Sequence, residues 1–191
     1  MIKRIEAIYN RTSTRNFSSK EVSNDMLYHI IEAGTQAPSS GNMQPWEFVI
    51  VKDTNQKNKL IKSTYSGFYS KDAKTQGWLL NAPVIIVICA NYKRTASRYG
   101  KMSEEWALID TANAVQNMIL TATENNLGTC WVGGVLEDEL KDLLELPSYL
   151  IPLGLLPIGY TEEAVQPKHK MNPSLITHKE KYNVPYFNDK E

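Results

Sequence analysis

The 191-residue chain has almost no cysteine, no excess of either charge and no long apolar run, and each shortage removes a class of protein. Its two cysteines, Cys89 and Cys130, lie in separate apolar, strand-like runs without Cys-x-x-Cys spacing. Both therefore read as reduced core residues, not as a disulfide framework or a thiolate metal site. Lysine and arginine together number 21, as do aspartate and glutamate, so the formal charge is zero. That balance argues against a general nucleic-acid binder. The longest clean apolar run, Val84 to Ala90, is strand-sized, and the opening Met-Ile-Lys-Arg-Ile-Glu lacks the apolar stretch of a signal peptide. The expectation is a cytoplasmic protein with no membrane partner. His29, His169 and His178 are scattered, and no metal is expected. No Gly-x-Gly-x-x-Gly follows a strand, and there is no Walker loop, His-Glu-x-x-His or Gly-x-Ser-x-Gly. No serine or cysteine nucleophile with its base is recognisable, so no catalytic side chain is named.

What is present reads as one continuous domain, large enough to fold without covalent staples. Ser23 suits a helix cap before Leu27, Ile30, Ile31 and Gly34. Strands are expected at Glu47–Val51, Val84–Ala90, Thr129–Val132 and Leu153–Tyr160. Pro157 should make the last of these an edge or a bulge. Helices are expected at Asn55–Ser63, at Leu136–Leu146, and over about Ser103–Leu127, the longest, capped by Ser103 and packed through Leu108, Ala112, Val115, Ile119 and Ala122. Residues 65–80 read as a loop with some helix. The alternation implies a three-layer α+β or α/β domain. Residues 161–191 hold three prolines and no helical period, yet keep Leu175, Ile176, Tyr182, Val184, Tyr186 and Phe187. That segment is either a strap over the chain's own surface or an arm packed on a partner subunit.

Three polar clusters stand out. Arg11-Thr12-Ser13-Thr14-Arg15 puts two forked cations around hydroxyls, which suits a phosphate or an electron-rich ring. Read alone, it is more readily a solvated basic loop. Ala37-Pro38-Ser39-Ser40-Gly41-Asn42-Met43-Gln44-Pro45-Trp46 is a rigid loop running into a strand, able to present amides and hydroxyls to a heteroaromatic ligand or simply to turn the chain. Lys168-His169-Lys170 places two cations on one face of an extended segment, enough to grip one phosphate. Between them, Val132-Gly133-Gly134 ends a strand where bare backbone amides can approach a ligand.

In this order the residues resemble the nitroreductase family of FMN-dependent oxidoreductases, over essentially the whole chain. The resemblance is carried by Arg-x-Ser-x-Arg-x-Phe at 11–17, the 37–46 loop, Asp110 to Gly134, Leu-Pro-Ile-Gly-Tyr at 156–160, and Pro-Lys-His-Lys at 167–170. It implies an α+β fold, three-layer α/β/α, as an intertwined homodimer with FMN at the subunit interface. It also implies a flavin-binding core over 1–160 and an exchanged arm over 161–191. By resemblance Arg11, Thr12, Ser13 and Arg15 bind the flavin, with Arg15 at the pyrimidine edge. Pro38, Ser39, Ser40 and Asn42 contact ring and ribityl chain, partly from the second subunit. Val132, Gly133 and Gly134 bring amides to the ring, and Lys168 and Lys170 hold the phosphate. NAD(P)H would donate electrons, and a small electron-poor acceptor such as a nitroaromatic or quinone would take them in a ping-pong exchange. Dehalogenation, flavin breakdown or non-catalytic FMN binding on the same fold are the alternatives. Residues 64–80 should roof the substrate site. Many members carry a flavin-contacting asparagine before the second strand; here the neighbourhood reads Lys74-Thr75-Gln76-Gly77.

Overall fold

A computed structural model describes residues 2–67, 74–161 and 166–187. Its helices are α1 (Glu6–Asn10), α2 (Asn24–Thr35), α3 (Thr54–Lys62), α4 (Tyr92–Tyr99), α5 (Ser103–Glu124) and α6 (Glu137–Leu144). Its strands are β1 (Trp46–Val51), β2 (Val84–Asn91), β3 (Gly128–Thr129) and β4 (Leu150–Gly159). They form one sheet in the order β1-β2-β4-β3, with every neighbouring pair antiparallel.

Every residue of β2 is buried, because both faces of the sheet are covered. Successive side chains point to opposite faces. Val84, Ile86 and Ile88 pack with Leu27 and Ile30 of α2 and Val115, Met118 and Ile119 of α5. Ile85, Val87 and Cys89 pack on the other face with Leu60 and Ile61 of α3, Leu79 and Leu140. The result is the expected three layers. Ser23 caps α2 by accepting from the Met26 amide at 3.2 Å, and Asp53 caps α3 by accepting from Gln56 at 2.8 Å. Lys57 of α3 is buried and donates to the Ala82 carbonyl at 2.9 Å. Burial lowers its pKa, against the pull of Asp53.

Several expectations change. Ser103 is the first residue of α5 and caps nothing; Met102 precedes it. Of the expected α5 stripe, Val115, Ile119 and Ala122 are buried and Leu108 half-buried, but Ala112 is exposed, and Ala107, Ala114 and Met118 widen the buried face. Gly34 makes room for Met118: a Cβ there would lie 2.8 Å from Met118 Cγ, so glycine admits Met118 against α2. Pro157 lies in an interior strand, opposite Ile85. Leu155 and Val132 exchange both backbone bonds at 2.9 Å, so Leu155 directs its polar groups towards β3. Pro157, two residues on, directs its nitrogen the same way, where the ladder breaks between Thr129 and Val132. A missing N–H costs nothing there. The bulge lies instead at Ile88/Cys89. The expected strand 129–132 shrinks to β3 plus an isolated bridge at Val132. Helices α1 and α4 have no counterpart in the sequence pattern. α4 is hidden because Tyr92-Lys-Arg-Thr-Ala-Ser-Arg-Tyr99 is short and basic, with only Tyr92, Ala96 and Tyr99 to mark a face.

Candidate functional site

The 11–15 segment crosses the end of the sheet beside β3. The Thr14 amide donates to the Thr129 carbonyl at 2.8 Å, pairing Ser13 with Thr129 in parallel. Thr14 is buried and fills the place of a side chain at Gly128, where a Cβ would meet it at 2.7 Å. With Thr14 turned inward, alternation leaves Ser13 and Arg15 exposed. A cavity of about 120 Å³ is lined by Arg11, Thr12, Ser13, Arg15, Gln166, Lys168 and Lys170. The first and third sequence clusters, over 150 residues apart, therefore meet around one small space containing four cations and no carboxylate.

Arg15 also lines a larger cleft of about 510 Å³, together with Tyr65, Gln76, Trp78, Trp131 and the Val132–Gly134 backbone. The Gly133 and Gly134 amides donate to no other group among the described residues. Gly134 has no alternative, because a Cβ would lie 2.3 Å from the Tyr65 carbonyl oxygen. Gly154 holds the floor from below: its Cβ would meet the Val132 carbonyl at 2.4 Å. Trp78 forms a wall, stacked on Phe17 at a centroid distance of 6.4 Å, with the Arg15 guanidinium 5.8 Å from its ring. Gln76 is fixed twice, its amide donating to Thr64 Oγ1 at 3.0 Å and its Nε2 to the Tyr65 carbonyl at 2.9 Å. Cys130 lies buried beneath this cleft. Burial pushes its thiol pKa up, while Arg15, a hydrogen bond with Ser13, and Arg11 pull it back.

Pro38, Ser39, Ser40 and Asn42 stand elsewhere. Their loop enters β1 at Trp46, which pairs with Ala90, itself paired with Ile151. β3 pairs at Ile158 and Gly159, the other end of β4 and the other edge of the sheet. The offset is three strand spacings, about 14 Å across, and seven residues, about 23 Å along. Neither the cation pocket nor the larger cleft is lined by Pro38, Ser39, Ser40 or Asn42. The structure thus gathers Arg11, Thr12, Ser13, Arg15, Val132, Gly133, Gly134, Lys168 and Lys170 in one place and leaves the 38–42 loop at the far corner.

Tyr65 and Trp78 fall within the expected roof over 64–80 without having been singled out, and sequence reasoning missed Trp131 and Gln166 as lining residues. Trp131 had a visible signal, an aromatic one residue before a strand-ending Val-Gly-Gly. Gln76 had the weaker one of replacing an amide. Residues 68–73 of the expected roof lie outside the described residues.

The nitroreductase family model matches residues 8–160. The chain belongs to the nitroreductase family. It is 30% identical to a protein of Archaeoglobus fulgidus provisionally named an NADH dehydrogenase/NAD(P)H nitroreductase, over 93% of this chain and 98% of that one. It is 29% identical to the FMN reductase [NAD(P)H] of Bacillus subtilis, over 93% of this chain and 74% of that one. A solved structure from Clostridium acetobutylicum, provisionally called an NADH oxidase, superposes with a TM-score of 0.74 at 33% identity, covering 92% of this chain and 99% of the other. The matched stretch of this nitroreductase-family chain includes Arg11, Thr12, Ser13, Arg15 and the lining of the aromatic cleft, and ends before Lys168 and Lys170.

Proposed function

We propose that this nitroreductase-family protein is an FMN-dependent oxidoreductase of the cytoplasm. It takes electrons from NAD(P)H and passes them, in a ping-pong exchange, to electron-poor acceptors such as nitroaromatics and quinones. The relatives named for NAD(P)H and FMN chemistry support the enzyme class and the cofactor. The observation that carries the reading is the junction at Arg15. Arg15 lines both a small pocket of four cations and a wider cleft with bare glycine amides on its floor and indole walls. A phosphate at one end and a flat heteroaromatic ring at the other fit that pair of spaces.

When bound, FMN supplies the ring that takes up and gives back the hydride. The chain binds and orients. Arg11, Lys168 and Lys170 neutralise the phosphate through charge-assisted hydrogen bonds, while Thr12 and Ser13 add hydroxyls. Arg15 sets positive charge between phosphate and ring. Gly133 and Gly134 offer amide donors, and Trp78 and Trp131 exclude water from the side on which donor and acceptor alternate. No acid–base side chain is required.

The site is completed by a homodimer, with Pro38, Ser39, Ser40 and Asn42 serving the partner's flavin. Their distance from the cation pocket of their own chain supports this arrangement. In it, residues 1–160 are the flavin-binding core and 161–191 an arm on the partner. Leu175, Ile176 and Tyr182 are 66%, 57% and 80% exposed on the single chain, which suits an arm that covers them on assembly.

Purified protein should be yellow, dimeric and loaded with one FMN per chain, identified by mass, and NADH or NADPH should bleach it. A colourless protein that takes up no added FMN overturns the reading.

A further inference from the structure

Asp110 of α5 is a carboxylate only 5% exposed, and no lysine or arginine pairs with it among the described residues. What faces it is the 38–46 loop. The Ser40 amide donates to Oδ2 at 2.8 Å and the Ser40 hydroxyl donates to Oδ1 at 3.3 Å. Burying a charge with two hydrogen bonds and no counter-ion is costly. The loop explains the choice. Gly41, Asn42 and Gln44 have φ of +56°, +59° and +48°, three left-handed residues interrupted by Met43, and two of the three are not glycine. Such backbone persists only where its surroundings over-determine it. Within the loop, Ser39 Oγ accepts from the Gln44 amide at 3.0 Å, and from outside Arg94 donates to the Gln44 carbonyl at 2.8 Å. Those bonds fix the far side of the loop. Asp110 alone among these groups fixes Ser40, the residue next to the bend.

We propose that Asp110 is a positioning residue for the flavin site of the partner subunit: it holds Ser39, Ser40 and Asn42 in the geometry that the partner's flavin meets. This rests on the proposed function and adds a residue that touches neither flavin nor substrate. α5 continues from Asp110 to Glu124, four residues before Gly128, about 21 Å at the helical rise. It therefore joins the loop given to the partner with the corner that holds the chain's own flavin.

The test uses full-length dimers and FMN affinity. Wild-type protein is measured first: absence of FMN binding or of a dimer rejects the proposed function itself. If wild type binds, Asp110→Ala should weaken FMN at least tenfold with dimer size and circular dichroism unchanged. Asp110→Asn, which keeps an acceptor, should stay within threefold. Asp110→Leu is the safeguard against misfolding: it keeps the side-chain volume, so it should stay folded and dimeric at the assay temperature and still lose FMN tenfold. Finally, Asp110→Ala chains are co-expressed with Lys168→Ala/Lys170→Ala chains and the mixed dimers isolated by two tags. One of their two sites combines an intact loop with an intact cation pocket, so one tight FMN per mixed dimer is expected. Unchanged FMN affinity in the Ala and Leu variants, or no tight site in the mixed dimer, overturns the proposal.

Discussion

The 11–15 corner and the 38–46 loop lie near opposite ends of α5, and they are held in different ways. At the first corner the backbone is pinned by the Thr14 bond to Thr129 and by tight contacts at Gly128, Gly134 and Gly154, while Ser13, Arg15, Lys168 and Lys170 are exposed. At the second, the side chains pin the backbone: Ser39, Asp110 and Arg94 each tie down part of a left-handed bend. The first corner keeps its charge for a ligand. The second spends its polar groups on itself and offers a fixed shape.

That contrast can be broken most severely at the cations. Lys168→Ala/Lys170→Ala should raise the FMN dissociation constant about 100-fold or more, since each charge-assisted hydrogen bond contributes about 1.5–3 kcal/mol. Stability should hardly move, because both lysines are exposed. Flavin fluorescence titration and a thermal melt read the two effects separately.

A second comparison lies inside the first corner. Gly134→Ala must push a Cβ against the Tyr65 carbonyl, 2.3 Å away, and should destabilise the fold by about 1–3 kcal/mol. Gly133→Ala meets nothing closer than 3.6 Å. Its stability should stay within about 0.5 kcal/mol, with any loss confined to flavin binding. Denaturant midpoints of the two variants decide.

The two thiols sharpen the contrast, one near each corner. Burial, then the charge of Glu47, pushes Cys89 from its ordinary 9.0 up to about 12. Cys130 is pushed up by burial as well, but Arg15 and Arg11 oppose it. Cys130 should therefore ionise first, read by thiolate absorbance in Cys89→Ser and Cys130→Ser proteins. Because Cys89 keeps its proton in the fold longer than in the unfolded chain, its contribution is intact below pH 9.0 and lost as pH rises towards 12. The slope is about 1.4 kcal/mol per pH unit for this thiol, and Cys89→Ala should remove it from an alkaline unfolding series.

The smallest effect is expected at Arg94. Its ion pair with Glu47 at 2.5 Å has side chains 44% and 38% exposed, so solvent screens it and it contributes little. Arg94→Ala should cost less than about 1 kcal/mol, through its bond to the Gln44 carbonyl, and chemical denaturation should show it.

Much of the first corner was legible beforehand. Two arginines around Ser13, a strand-ending Gly-Gly and alternate lysines at 168 and 170 each announced a small chemistry, and family resemblance joined them. The interior was less legible where one residue's environment overrode its type. Pro157 looked like an edge residue, yet a local break in the ladder beside it makes an interior strand acceptable. Ala112 looked buried, yet the buried face of α5 is centred on Ala114, Val115 and Met118 and leaves it outside. Helix α4 escaped because it is short and basic, and its packing on α5 through Tyr99 and Trp106 joins residues that no local pattern connects.

By itself the sequence determined the buried strand Val84–Ala90, the cap at Ser23, the residue types of the polar clusters and the family, because local pattern and short motifs suffice for these. Only the tertiary structure decided that residues 11–15 and 168–170 share one pocket, that Arg15 joins it to the indole-walled cleft, and that the 38–42 loop lies a whole helix away with Asp110 beneath it. Those relations depend on strand order and on the helix face that packs inward. Both follow from contacts among residues distant along the chain, which no local pattern contains.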